Sequence, residues 1–133
     1  MDTIAVRIVR HTNNFEAMVR FYRDGLGMDV VQSWDRPGNR GALLSPGDAV
    51  SDTLIEVLDL NDEAVSGAAP VNVVLSLEVE DVDRWHGQLI GAGVSIARGL
   101  EDAPWGHRSF GVDDPGGFRI WIYQDTGVVG GWE

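Results

Sequence analysis

The chain has 133 residues, 44% of them hydrophobic, enough for a real core in one domain and too many for a disordered chain. Ten basic against twenty-one acidic residues give a formal charge of −11, and every cation is an arginine. A field of that sign disfavours nucleic acid, whose phosphates need basic patches, and it steers cations inward, although acidity also serves simply to keep a small protein soluble.

There is no cysteine, so disulfides, thiol catalysis and thiolate metal sites are all excluded. No apolar run approaches the ~20 residues that span a bilayer, so no membrane partner is expected. Met1-Asp2-Thr3-Ile4 lacks the basic segment of a secretory signal. The cytoplasm is the default compartment, though a chain without cysteine also suits export.

Ile4 to Arg10 alternates, with Ile4, Val6 and Ile8 on one face and Ala5, Arg7 and Val9 on the other, and predicts a strand. His11 falls just past it. Asn13 or Asn14 can cap a helix whose apolar stripe is Phe15, Met18, Val19 and Tyr22, with Gly25 and Gly27 as its stop. Met28 to Trp34, Gly41 to Leu44 and Asp52 to Leu58 read as strands, separated by turns at Arg36-Pro37-Gly38-Asn39 and Ser45-Pro46-Gly47-Asp48.

The order then restarts. Val71, Val73, Leu75 and Leu77 alternate with Asn72, Val74, Ser76 and Glu78 in a strand. Glu80 and Asp81 open a helix with the stripe Val82, Trp85 and Leu89, which places Trp85 in the core and His86 toward solvent; Gly91 and Gly93 end it. Val94 to Ala97, His107 to Val112 and Phe118 to Tyr123 give three more strands, the last two joined by Asp113-Asp114-Pro115-Gly116-Gly117. On the last strand Ile120 and Ile122 face the helices, and Arg119, Trp121 and Tyr123 face away.

This is an internal repeat of about 65 residues, strand–helix–three strands taken twice. It predicts an α+β single domain, two βαβββ repeats forming a curved mixed sheet around a cleft. Half one is 1–60, a linker runs over 61–70, half two is 71–125 and a tail covers 126–133. Arg7 and Glu56 are 49 positions apart, as are Asn72 and Trp121, which supports matched strands in the two halves.

Three segments carry a family likeness: Phe21-Tyr22-Arg23-Asp24-Gly25-Leu26-Gly27-Met28 at the first helix end, Pro104-Trp105-Gly106-His107-Arg108-Ser109-Phe110, and Asp114-Pro115-Gly116-Gly117-Phe118. In this order the pattern resembles the vicinal oxygen chelate superfamily of glyoxalases, extradiol dioxygenases and bleomycin-resistance proteins, and within it the bleomycin-resistance branch. The resemblance covers nearly the whole chain and speaks for the fold more than for an activity. It also implies a homodimer.

Metal-dependent members hold the ion at four strand positions, usually His or Gln, Glu, His and Glu. The resemblance puts these on Arg7, Glu56, Asn72 and Trp121, of which only Glu56 fits. A guanidinium offers no lone pair and an indole only an N–H, so no metal and no other cofactor is expected. Arg7 instead becomes the cation at the site, paired with Glu56, either to polarise the cleft floor or as a structural ion pair.

Five tryptophans are many for this length. Trp132 sits in the tail. Trp34, Trp105 and Trp121 are candidates for a cleft, since indoles stack on flat heteroaromatics and attract cations; equally, Trp105 and Trp121 could fill the space of a lost metal. The resemblance adds Gly106, His107 and Phe110 as neighbours of Trp105. The expected ligand set is therefore Trp34, Trp105, Gly106, His107, Phe110, Trp121, Arg7, Glu56 and Asn72.

Two functions compete. One is a non-catalytic protein that sequesters a planar, polar or cationic small molecule such as an antibiotic. The other is a metal-independent isomerase, lyase or cyclase with Glu56 as general base and Arg7 as oxyanion stabiliser; pairing with Arg7 favours the charged, less basic carboxylate, which counts against it. A metal-dependent lyase with an unusual ligand set ranks last.

Overall fold

A computed structural model describes residues 1–60 and 69–127. The chain divides into two compact units, 1–68 and 69–133. Most of the expected linker, the tail beyond residue 127 and Trp132 lie outside the described residues.

The first unit runs β1 (Val6–Thr12), α1 (Phe15–Arg20), β2 (Asp29–Arg36), β3 (Asn39–Ser45) and β4 (Thr53–Asp59). The Asn14 side chain caps α1 by accepting from the Ala17 N–H at 3.3 Å. The helix continues as a π-helical turn, Phe21–Gly25, closed by the Leu26 N–H on the Phe21 carbonyl. Gly27, at φ 70°, then redirects the chain into β2, a conformation that suits glycine.

The sheet order is β1-β4-β3-β2, with β1 parallel to β4 and the other neighbours antiparallel. One face carries Ala42, Leu44, Ile55 and Val57, all buried, and the helical segment supplies the large core residues Met18, Phe21 and Tyr22. Each fully buried side chain of this size stabilises the fold by about 1.5–3 kcal/mol.

The second unit repeats the plan: β5 (Val74–Glu78), α2 (Val82–Gly91), β6 (Arg98–Ala103), β7 (His107–Asp113) and β8 (Arg119–Asp125), in sheet order β5-β8-β7-β6 with β5 parallel to β8. Asp81 caps α2 through the Arg84 N–H at 3.2 Å. Val82 and Leu89 are fully buried, as are Phe110, Val112 and Ile120 beneath the helix, and Ile122 is nearly so. In the β7–β8 turn the buried Asp114 accepts from the Gly116 and Phe118 N–H groups at 2.9 and 3.0 Å, which is why an acid heads that turn. The two βαβββ halves expected from the repeat are present.

Several local expectations need correction. β1 extends to Thr12, so the exposed His11 lies within it. Asn72 precedes β5, in a left-handed conformation at φ 61° that asparagine tolerates better than most residues. The strand placed at 94–97 is instead β6, Arg98–Ala103, whose charged composition suits the sheet edge it occupies. Trp85 is half-buried, with the Arg84 guanidinium 5.9 Å from its ring. His86 packs edge-on against Phe110, 5.1 Å between centroids.

Candidate ligand-binding site

Strand periodicity gives each unit one buried face and one open face. In the first unit Arg7, Gln32, Trp34, Asn39, Leu43, Glu56 and Leu58 line a shallow hollow of about 500 Å³. The Arg7 Nη1 donates to Glu56 Oε1 at 3.1 Å, so the expected ion pair forms; Arg7 is half exposed and Glu56 far less so. Trp34 lies across its cross-strand partner Gly41, where a Cβ would sit 2.2 Å from the indole, and its Nε1 donates to Asn39 Oδ1 at 2.8 Å.

The second unit holds a groove of about 600 Å³. Its floor follows one row across the sheet: Ser76 on β5, Trp121 on β8, Gly111 on β7 and Arg98 on β6 are successive cross-strand partners. Gly111 has no side chain, so the Trp121 indole lies flat over it; a Cβ there would be 2.5 Å from the ring. The Arg98 guanidinium carbon is 4.5 Å from the Trp121 centroid and that of Arg119 is 5.2 Å away.

The neighbouring row adds Tyr123, which stacks on His107 at 4.6 Å and 23° and donates its hydroxyl proton to Glu78 at 3.2 Å. Loss of solvent around the ring, followed by the hydrogen bond and charge of Glu78, raises the Tyr123 pKa above its usual value. At the rim the turn Ala103-Pro104-Trp105-Gly106 closes through the Gly106 N–H on the Ala103 carbonyl, with Gly106 at φ 88°. This turn holds Trp105 outward, 60% exposed.

A family model described as Glyoxalase/Bleomycin resistance protein/Dioxygenase superfamily matches residues 4–122. The chain belongs to this superfamily. The YraH protein of Bacillus subtilis (strain 168) is 28% identical over 130 residues, covering 93% of this chain and 98% of that protein. Among solved structures, TnmS3, an antibiotic-binding protein from Streptomyces sp. CB03234, superposes with a TM-score of 0.71 at 23% identity, over 94% of this chain and 97% of that one. A superfamily member from Nocardioides does so at 0.69 and 21%, over 100% and 91%. At these identities the structural likenesses establish a common fold.

Some superfamily members hold a metal at four strand positions, and the residues here do not fit one. Glu56 pairs with Val9 along β1–β4, and Trp121 pairs with Ser76 along β5–β8. The counterpart of Arg7, two residues before Val9, is therefore Val74, two residues before Ser76. The equal 49-residue spacings in the sequence did not mark equivalent sites. Neither pair offers the lone pairs a metal needs: in the first unit a guanidinium with a carboxylate already bound to it, in the second an isopropyl group with an indole. Among the described residues no group of three or more His, Asp or Glu side chains could hold a metal ion.

The expected ligand residues separate as follows. Trp105, His107 and Trp121 line the second-unit groove, and Arg7, Trp34 and Glu56 the first-unit hollow. Asn72 lines neither. Gly106 is buried, its carbonyl accepting from the Thr126 N–H and hydroxyl. Phe110 is fully buried on the opposite face of β7 and is a core residue rather than a ligand contact.

Sequence reading missed Arg98 and Glu101 as groove residues, and it put Tyr123 on the open face beside Trp121 without naming it as a ligand residue. The available signal was the hairpin: a Pro-Trp-Gly turn before β7 demands a partner strand ending at Ala103, which carries Arg98 and Glu101 into the groove.

Proposed function

We propose that the protein is a metal-free small-molecule-binding protein that sequesters a planar aromatic compound, an antibiotic or metabolite, in the second-unit groove. One observation carries this reading: an exposed indole, Trp105, stands at the rim of a groove floored by a second indole, Trp121. A large apolar ring left open to water beside a concave aromatic surface is a recognition feature, and stacking on rigid rings costs little conformational entropy. TnmS3, which shares the fold, is an antibiotic-binding protein, and this supports an antibiotic as the ligand.

The test is calorimetric titration with the neutral planar probe 9-anthracenemethanol, followed by recovery of the probe. Saturable one-to-one binding, weakened about tenfold by Trp105→Ala, with the probe recovered intact, is the expected result. Absence of saturable binding refutes it.

A second reading, a metal-independent isomerase, lyase or cyclase, rests on Glu56, which faces the first-unit hollow beside Arg7. It predicts chemical change of a bound compound, abolished by Glu56→Gln. The Arg7 bond occupies a lone pair that a base needs, which favours the binding reading. We also infer a homodimer. β1 and β5 are terminal strands of their sheets and expose Val6, Val9 and Val74, apolar groups that a second copy would cover. Light scattering at a dimer mass checks this.

A further inference from the structure

Resting on the groove as the ligand site, we propose that Arg98 is its specificity-determining residue and that the ligand class is planar aromatic compounds bearing an anionic oxygen, a carboxylate or ionised phenol. An indole floor in an acidic protein suggests a cationic ligand at first sight. The arrangement around Trp121 points the other way. Its attraction for cations is already used by Arg98 at 4.5 Å and Arg119 at 5.2 Å, so a ligand cation would meet two guanidinium charges there.

The carboxylates at the groove already have partners. Glu101 pairs with Arg98 at 3.2 Å, and Asp102 pairs with Arg108 at 3.1 Å. Glu78, beyond them, accepts the Tyr123 hydroxyl.

Arg98 is held in place for recognition. Its Nη1 donates to the carbonyls of Gly99 and Ser109 at 3.0 and 3.3 Å, and its Nη2 donates to the Ser109 hydroxyl. These bonds fix a planar cation beside a planar indole. A flat ring can lie along both while its anionic oxygen takes charge-assisted hydrogen bonds from the guanidinium.

The group to be displaced is Glu101, whose side chain is 67% exposed on an edge strand. Surface pairs of this kind contribute little, so exchanging it for a ligand carboxylate is easy. The net charge of −11 opposes the approach of an anion, but salt screens such fields beyond about 8 Å. Contacts within the groove therefore set the preference.

The test uses three anthracenes that share one ring system: the 9-carboxylate, the 9-methanol and the 9-methylammonium. Each is titrated calorimetrically into the wild type, Arg98→Gln and Glu101→Gln, with far-ultraviolet circular dichroism as the control for folding. The wild type should bind the carboxylate about tenfold tighter than the ammonium. Arg98→Gln should erase that preference and weaken the carboxylate far more than the alcohol.

Glu101→Gln removes the competitor and should tighten the carboxylate relative to the alcohol. This variant keeps the proposal testable should Arg98→Gln disturb the groove. Preference for the ammonium, or an equal loss for all three probes in Arg98→Gln, overturns the role of Arg98 while leaving the groove reading intact. Failure of all three to bind the wild type removes the groove reading and this inference together.

Discussion

The two halves share one topology and differ in what stands on it. Across the open face of the first sheet the row runs Val9, Glu56, Leu43 and Gln32; across the second, at matching strand positions, it runs Ser76, Trp121, Gly111 and Arg98. One row is organised by an ion pair, Arg7 with Glu56, and the other by an arginine on an indole. The buried faces differ too. In the first half the helical segment brings the bulk, Met18, Phe21 and Tyr22, and the buried face of the sheet carries the small Ala42. In the second half the sheet brings it: Phe110 occupies the register position of Ala42, and the helix supplies the smaller Val82 and Leu89. A repeated fold constrains backbone register and the total volume of the core. It leaves open which layer fills that volume and what chemistry faces outward.

The largest expected break is Phe110→Ala. If the bulk of the second core resides in the sheet, it should cost about 3–5 kcal/mol in urea unfolding. The converse, Ala42→Phe in the first half, should cost about 1–3 kcal/mol through overpacking against the helical residues. Next comes Gly111→Ala, which forces Trp121 off the sheet. About 1–3 kcal/mol should be lost, and the change in indole environment should shift tryptophan emission. Gly41→Ala meets Trp34 on an edge strand, where the ring has room to swing, and should cost less.

Arg7→Ala tests the first row. With Arg7 half exposed, its loss should lower stability by no more than about 1 kcal/mol and leave probe binding in the second unit in place. A loss of affinity at unchanged fold would bring the first hollow into the ligand site.

The smallest effect is a pH dependence. Tyr123 has a raised pKa in the fold, so its contribution to stability is complete below the ordinary tyrosine value near 10 and is lost as pH rises through the higher folded value. Stability measured by denaturation should decline over that alkaline window, and less steeply in Tyr123→Phe.

Much of this was legible in the residues. Alternation on the last strand placed Ile120 and Ile122 inward and Trp121 outward, and the helix stripes named Met18, Tyr22, Val82 and Leu89 as core. The pairing of Arg7 with Glu56 was implied by the family resemblance, which put both at one site, and chemistry agreed, since a carboxylate on an apolar-flanked strand needs a cation.

What escaped had physical causes. β6 carries Arg98, Glu101 and Asp102 because edge strands favour charge, and that composition reads as a loop. Asn72 left its expected strand because a left-handed turn precedes β5, and the parallel register of β5 against β8 is invisible to residue counting. Phe110 was grouped with Trp105 by a sequence motif, but the pleat sends it to the opposite face. Arg98 was missed with its strand, and the site's cation went with it.

On the proposed reading, the second-unit groove, with Trp105 at its rim and Trp121 as its floor, takes the planar ligand. The most direct measurement is the indole N–H region of a ¹⁵N–¹H correlation spectrum, assigned by single tryptophan substitutions and recorded through a titration with 9-anthracenemethanol. The Trp105 and Trp121 signals should move together and saturate at one equivalent while the Trp34 signal holds its position. Saturable movement of Trp34 alone, with Trp105 and Trp121 unmoved, would put the ligand in the first-unit hollow instead.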